Sequence, residues 1–176
     1  MTPRANPCQR VLLIASLTLL LPACANPVTR ASGVHDSDLR ITSLVHSWFA
    51  LLEGKRGEPR ELADLVAQPS FAFSSADGST RNLAELRSWA SNLRSTHLQL
   101  EFRIGPIRLD SVGDGLHRAR FEFDRRAQDQ TGIPHVARGE QTWLVRGLMG
   151  GAPAILRIDE RPLPVFPGTG PQIVCS

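Results

Sequence analysis

The stretch His97-Leu98-Gln99-Leu100-Glu101-Phe102-Arg103-Ile104-Gly105-Pro106-Ile107-Arg108-Leu109 decides the fold. From 98 to 104 the even positions are apolar and the odd ones polar, the two-residue period of a half-buried strand. After Gly105-Pro106 the phase flips, and the odd residues Ile107 and Leu109 become the apolar ones. One inserted residue accounts for the flip. A β-bulge inserts one residue, and Gly-Pro is a place where the ladder can be interrupted. The bulge keeps all six apolar side chains on one face and bends the strand, so the sheet is expected to curve and to have a concave side.

Three further strands follow in the same idiom. Residues 116–125 put Ala119, Phe121 and Phe123 on one face and Arg118, Arg120, Glu122 and Asp124 on the other. A short loop at 113–115 would set Phe121 against Ile107 and Ala119 against Leu109, apolar on apolar. Residues 136–146 place Gln141, Trp143 and Val145 inward. Residues 154–160 place Leu156 and Ile158 inward, with Arg157 and Asp159 outward. The outer face then alternates Arg with acids, a solvated and ion-laced surface. The turns between these strands fall at Gly113-Asp114-Gly115, 129–132 and 147–151.

Ahead of the meander the period changes to that of helices. Asp36 or Ser37 caps a helix to Glu53, whose stripe is Ile41, Leu44, Val45, Trp48, Leu51 and Leu52. Pro59 opens a short second helix with Leu62, Leu65 and Val66 on its apolar face, and Pro69 stops it. A short strand at 70–75 carries Phe71 and Phe73, and Ala76-Asp77-Gly78-Ser79 is a turn. Asn82, with Glu85 three residues on, caps a third helix striped by Leu83, Leu86, Trp89, Ala90 and Leu93. The expected fold is α+β. A curved, mostly antiparallel sheet, a four-strand meander plus a short strand, packs on three N-terminal helices in a cone-shaped domain over residues 36–163.

The ends carry different information. Arg4 and Arg10 precede an apolar run, Val11 to Leu21, too short to span a bilayer, so residues 1–23 read as a signal peptide. Leu21-Pro22-Ala23-Cys24 resembles the lipobox of bacterial lipoproteins, with Pro22 departing from the usual residue. The resemblance implies a lipidated Cys24, a membrane partner through that lipid, and an outer-membrane address facing the periplasm, since residue 25 is Ala rather than Asp. Cleavage after Ala25, giving a soluble periplasmic or secreted protein, is the alternative. Residues 24–35 read as a tether and 164–176 as a Pro/Gly-rich tail. With either cleavage Cys175 is left alone, so no intramolecular disulfide is expected.

Composition narrows the partners. Nineteen of the 20 basic residues are Arg, but they interleave with acids, and without Arg4 and Arg10 the formal charge of +3 falls to +1. That balance argues against nucleic acid, which favours clustered cations. The five His residues show no metal-ligand spacing, so no metal and no other cofactor is expected.

The order of elements is similar to the nuclear transport factor 2-like superfamily, and within it to the SnoaL-like group. Trp48-Phe49-Ala50-Leu51-Leu52, Phe71-Ala72-Phe73, Asn82 to Trp89 leading to Thr96-His97, and Gln141 to Val145 carry the likeness over about residues 36 to 160. The resemblance implies a cavity between helices and concave sheet, walled by Trp48, Phe73, Trp89, Phe121, Gln141 and Trp143. Those rings equally suit a plain core. Three functions are compatible with the chain. The first is an exported, non-catalytic domain binding a small apolar ligand or a protein. A SnoaL-like enzyme moving a proton on an apolar substrate is the second, with His97 as the base, ahead of His135 and Asp64, because imidazole titrates near neutrality. The third is an assembly module that forms a homodimer through its sheet. The chain has no Tyr to act as oxyanion donor.

Overall fold

The computed structural model describes residues 28–147 and 151–165. The stretch read as a signal peptide, Cys24 after it, the middle of the 147–151 turn and the tail beyond Val165 lie outside them. The elements are α1 (Val28–Leu52), a 3-10 helix (Pro59–Leu65), β1 (Ala72–Ser74), β2 (Thr80–Arg81), α2 (Leu83–Thr96), β3 (His97–Ile104), β4 (Arg108–Gly113), β5 (Leu116–Asp129), β6 (Pro134–Arg146) and β7 (Ala154–Leu163). Helices cover one face of a curved, unclosed sheet.

The seven strands run β2-β1-β7-β6-β5-β3, with β4 also on β5. All pairings are antiparallel except β1 with β7. The phase flip in the sequence is an insertion in the ladder. Ile104 pairs with Phe123 and Arg108 with Arg120, so four steps on one side (104 to 108) face three on the other (123 to 120). Gly105 keeps its place by donating its N–H to Glu122 O at 2.9 Å. Leu109 sits opposite Ala119, as its parity requires, and Phe102, Ile104, Ile107 and Leu109 all pack against the core.

Elsewhere the sheet departs from simple alternation. A second register shift between His97 and Gln99 turns Leu98 out, leaving it 58% exposed rather than on the apolar face. A third lies between Leu144 and Val145. Leu144 faces Arg157 while Val145 faces Ile155, so Leu156 is the extra residue. Ile155 is consequently fully buried in the place expected for Leu156, which is only half-buried. Two strands were not expected as such: β2 forms a hairpin with β1, and β4 is a separate strand after the bulge.

The helical layer begins earlier than the Asp36 or Ser37 cap. α1 starts at Val28, so residues 28–35, expected in the tether, are helical. That stretch lacks Pro, and its one glycine, Gly33, costs a helix only about 1 kcal/mol relative to Ala. The second helix is a 3-10 helix stopping at Leu65, with Pro59 and Leu62 buried. The α2 cap is as the sequence predicts: Asn82 Oδ1 accepts from Ala84 N at 2.9 Å and Glu85 N at 3.0 Å, and Asn82 N donates to Glu85 Oε2 at 2.8 Å.

Polar side chains tie the helices to one another and to the sheet. Arg94 on α2 donates to the carbonyls of Leu51, of Leu52 at 3.4 Å and of Gly57 at 3.1 Å, filling acceptors that the end of α1 leaves open. Glu53, just beyond α1, accepts from Phe102 N at 2.6 Å on the β3 edge. Its carboxylate thus occupies a donor that an unpaired edge would present to another chain.

Candidate functional site

The apolar interior is ring packed on ring. Trp48 and Trp143 meet edge-on at 5.6 Å, and Phe121 meets Trp143 at 5.4 Å. Phe49 touches Phe102, Phe121 and Phe123 at 5.0, 5.8 and 5.7 Å. Of the expected wall residues, Trp48, Phe73, Phe121, Gln141 and Trp143 are buried to 3% exposure or less. Trp89 is half-buried, with Phe73 at 5.8 Å beside it and the Arg81 guanidinium at 5.8 Å over its ring. These contacts fill the centre. The Trp48 Nε1–H is buried there without a hydrogen-bond partner among the described residues, a cost of about 1–3 kcal/mol.

Polar chemistry on the inner face gathers around Gln141. An indole N–H only donates, so Trp143 Nε1, at 2.8 Å, must meet the amide oxygen of Gln141. That contact fixes the amide's orientation, and Gln141 Nε2 donates to Glu160 Oε2 at 2.6 Å across the β6–β7 ladder. Glu160 shares the parity of buried Ile158 and so faces inward. Burial pushes its carboxyl above the usual range, against the hydrogen bond from Gln141 and the charges of Arg125 and Arg81. Glu160 is the inward carboxyl that the sequence reading left without a face at the end of its 154–160 strand; continuing the alternation from Ile158 would have found it.

Arg125 faces the same way. It lies between buried Phe123 and Ala127 on the inner parity of β5 and is half-buried. Among the described residues it makes no hydrogen bond and no ion pair. Gly139 lies on β6 opposite Phe123, and its missing side chain is what admits the ring: a Cβ there would sit 2.7 Å from Phe123 Cζ.

The other candidates lie elsewhere. His97 Nδ1 is 2.7 Å from Leu93 O and 3.0 Å from Thr96 Oγ1, at the α2–β3 junction. Its ring stands 6.4 Å from that of His135, which bonds Asp129 Oδ2 at 3.0 Å. Asp64, on the 3-10 helix, joins neither cluster. Hydrogen bonds from Thr131, His135 and Ile133 hold the Asp129 carboxyl well below the usual range; Ser75 and Ser79 do the same for Asp77 in the β1–β2 turn. Among the described residues no group of three or more His, Cys, Asp or Glu comes together to hold a metal ion.

The outer face carries the ion lattice its alternation predicts. Arg120 pairs with Asp110 at 2.9 Å, Arg161 with Glu140 at 2.8 Å, and Arg138 with both Glu122 and Asp124. A groove of about 500 Å³ runs over this face beside Gly105 and Pro106.

An inward-curving antiparallel sheet, helices filling its hollow and a bulge at its bend define the architecture. It is the nuclear transport factor 2-like fold. A nuclear transport factor 2-like superfamily protein from Salmonella enterica superposes with a TM-score of 0.65 at 14% identity, covering 78% of this chain and 98% of that one. A nuclear transport factor 2-like protein with a cystatin-like fold from Novosphingobium aromaticivorans gives 0.65 at 14%, covering 77% and 88%. A hexachlorocyclohexane dehydrochlorinase gives 0.62 at 12%, covering 78% and 96%. At such identities the likeness is one of fold, and the fold serves enzymes and non-enzymes alike. No protein-family model and no curated protein matches the sequence.

Proposed function

We propose that the chain is an exported, non-catalytic binding domain that holds a small, largely apolar ligand against the inner face of its sheet. The observation that carries this reading is the Trp143–Gln141–Glu160 chain, a polar group built into an otherwise apolar wall. Apolar pockets use a few such groups to orient a ligand. The ligand sits at the edge of the inner face beside Glu160 and Arg125, whose side chains are half-buried, because the centre is occupied by rings. Proton transfer with His97 as base draws no support from the geometry, since that ring is engaged at the α2–β3 junction. The N-terminal pattern supports export, with anchorage at the outer membrane through lipid on Cys24.

Native mass spectrometry of the mature domain purified from its natural host tests the reading. The protein mass is expected with a bound small molecule that Gln141→Leu fails to retain. A spectrum of bare protein masses alone counts against it. Anchorage is tested separately, since Cys24→Ala should move the protein from membranes to the soluble fraction.

A second reading is favoured by the groove and ion lattice of the outer face, where alternating charges are complementary to a second copy. The same spectra report a dimer in that case. A dimer that survives Arg120→Glu with Arg138→Glu removes the sheet as its interface.

A further inference from the structure

We propose that the open end of the inner sheet face is a site for a divalent transition-metal ion, with His97 and His135 as its protein ligands and Asp129 as the group that orients His135. The register puts the three side chains together. His97, the first residue of β3, pairs with Asp129 of β5, and His135 of β6 pairs with Ala127, two residues back along the same strand. Ala127 is buried on the inner face, and residues paired with it or two steps from it share that face. The register shift that turns Leu98 out is what returns His97 to it. The strands β3 and β6 flank β5 and stand about 9–10 Å apart at the usual strand spacing. Their two imidazole centres are 6.4 Å apart, so the rings lean toward each other over β5, where Ala127 offers only a methyl.

Each ring has one nitrogen engaged and one left over. His97 Nδ1 lies 2.7 Å from Leu93 O, and a carbonyl only accepts, so Nδ1 carries the hydrogen and Nε2 the lone pair. His135 Nε2 lies 3.0 Å from Asp129 Oδ2, while Asp129 Oδ1 accepts from Thr131 N, Thr131 Oγ1 and Ile133 N. That carboxylate holds the hydrogen on Nε2 and leaves the lone pair on Nδ1. Neither spare nitrogen has a hydrogen-bond partner among the described residues. A histidine held at one nitrogen by a carbonyl or carboxylate, with the other nitrogen open, is the arrangement of a metal-bound imidazole. Two imidazoles that share a metal about 2.0–2.1 Å from each bonded nitrogen keep their centres roughly 5–6 Å apart. A small turn of the exposed His135 side chain closes the difference. No group of three or more His, Cys, Asp or Glu forms among the described residues, so water fills the remaining positions. Imidazole donors suit copper(II) and zinc(II) rather than calcium or magnesium. The two ligands lie 38 positions apart (135 − 97) and form no motif in the sequence.

The test is calorimetric titration of the full mature domain with copper(II) chloride and with zinc(II) chloride in a non-coordinating buffer. A Cys175→Ser background removes the one thiol that either cleavage leaves. One equivalent of each metal is expected to bind, copper(II) the more tightly. His97→Ala, His135→Ala and Asp129→Asn should each weaken binding at least about tenfold, the lower end of the usual loss when a ligand's outer partner is removed. His46→Ala, on the exposed side of α1, should leave it unchanged. Electron paramagnetic resonance of the copper(II) form should show coupling to two nitrogens, which a general loss of folding does not imitate. His135 is more than half exposed, so His135→Ala should keep its melting temperature and carries the test if His97→Ala does not fold. Failure of both metals to bind, or an affinity unchanged in either histidine variant, overturns the site. An affinity unchanged by Asp129→Asn overturns the orienting role of Asp129.

Discussion

Glu160 is an acid in a place that disfavours its charge, and this has a measurable sign. A carboxyl whose folded pKa lies above its unfolded one holds its proton more tightly when folded. Between those two values stability falls as pH rises, and above both the penalty is complete. Glu160→Gln keeps a partner for Gln141 without the buried charge. It should therefore raise the melting temperature at pH 8 and change it little at pH 4, as calorimetry would show; an equal shift at both would refute the assignment. Gly139 is the converse case, a residue defined by what it lacks. Gly139→Ala sets a methyl against the Phe123 ring at 2.7 Å and should cost about 1–3 kcal/mol by denaturant titration, the usual cost of overpacking. Gly139 is unremarkable in the sequence, because no local pattern reveals a ring arriving from the next strand.

At the scale of elements, the insertion at Gly105-Pro106 governs which residues meet the core. Deleting Pro106 removes the extra residue and restores continuous alternation. Ile107 and Leu109 would then keep the inward face by plain alternation, with Arg108 outward, and only the bulge that bends the strand would be lost. The deletion variant should therefore still fold, whereas one Ala inserted after Pro106 reverses the parity, turns Ile107 and Leu109 to solvent, and should give a strongly destabilised protein that binds a hydrophobic dye. This element was legible because a phase flip is a signal in one strand alone. The capping box of α2 was legible for the same reason: both partners lie within four residues. The register shifts at Leu98 and Leu156 were not. Each is set by the partner strand, and single-strand alternation assigned both residues to the wrong face. Glu160 fell between these cases: it is the last residue of the strand read at 154–160, where the parity of Ile158 was available but no face was assigned to it.

For the whole molecule, the layers depend on contacts between distant parts of the chain. β7 lies between β1 and β6, and it also meets the end of the 3-10 helix, where Ala67 donates to Ile155 O at 2.8 Å. A chain ending at Gly151 would lack Ile155 and Ile158, both fully buried, and would leave the inner edge of β6 unpaired. Circular dichroism should show loss of the cooperative unfolding transition, while a retained transition would show that β1–β6 form a stable unit without it. The general architecture was readable from the order of helical and strand periods. The ring-filled centre was not, since six aromatic side chains can wall a hollow or fill it, and only their distances decide.

The parallel pairing of β1 with β7 also sets an order in time. Phe73 and Ile158 are neighbours in the sheet but lie 85 positions apart (158 − 73). The N-terminal hairpin has no place to dock until the last strand has been made, because its only other sheet partner is itself. Closing so long a loop is slow relative to forming α2 or the β5–β6 ladder. A nascent chain therefore remains incomplete until its last strand is available, and a polypeptide bound for another compartment would have that interval in which to cross a membrane unfolded.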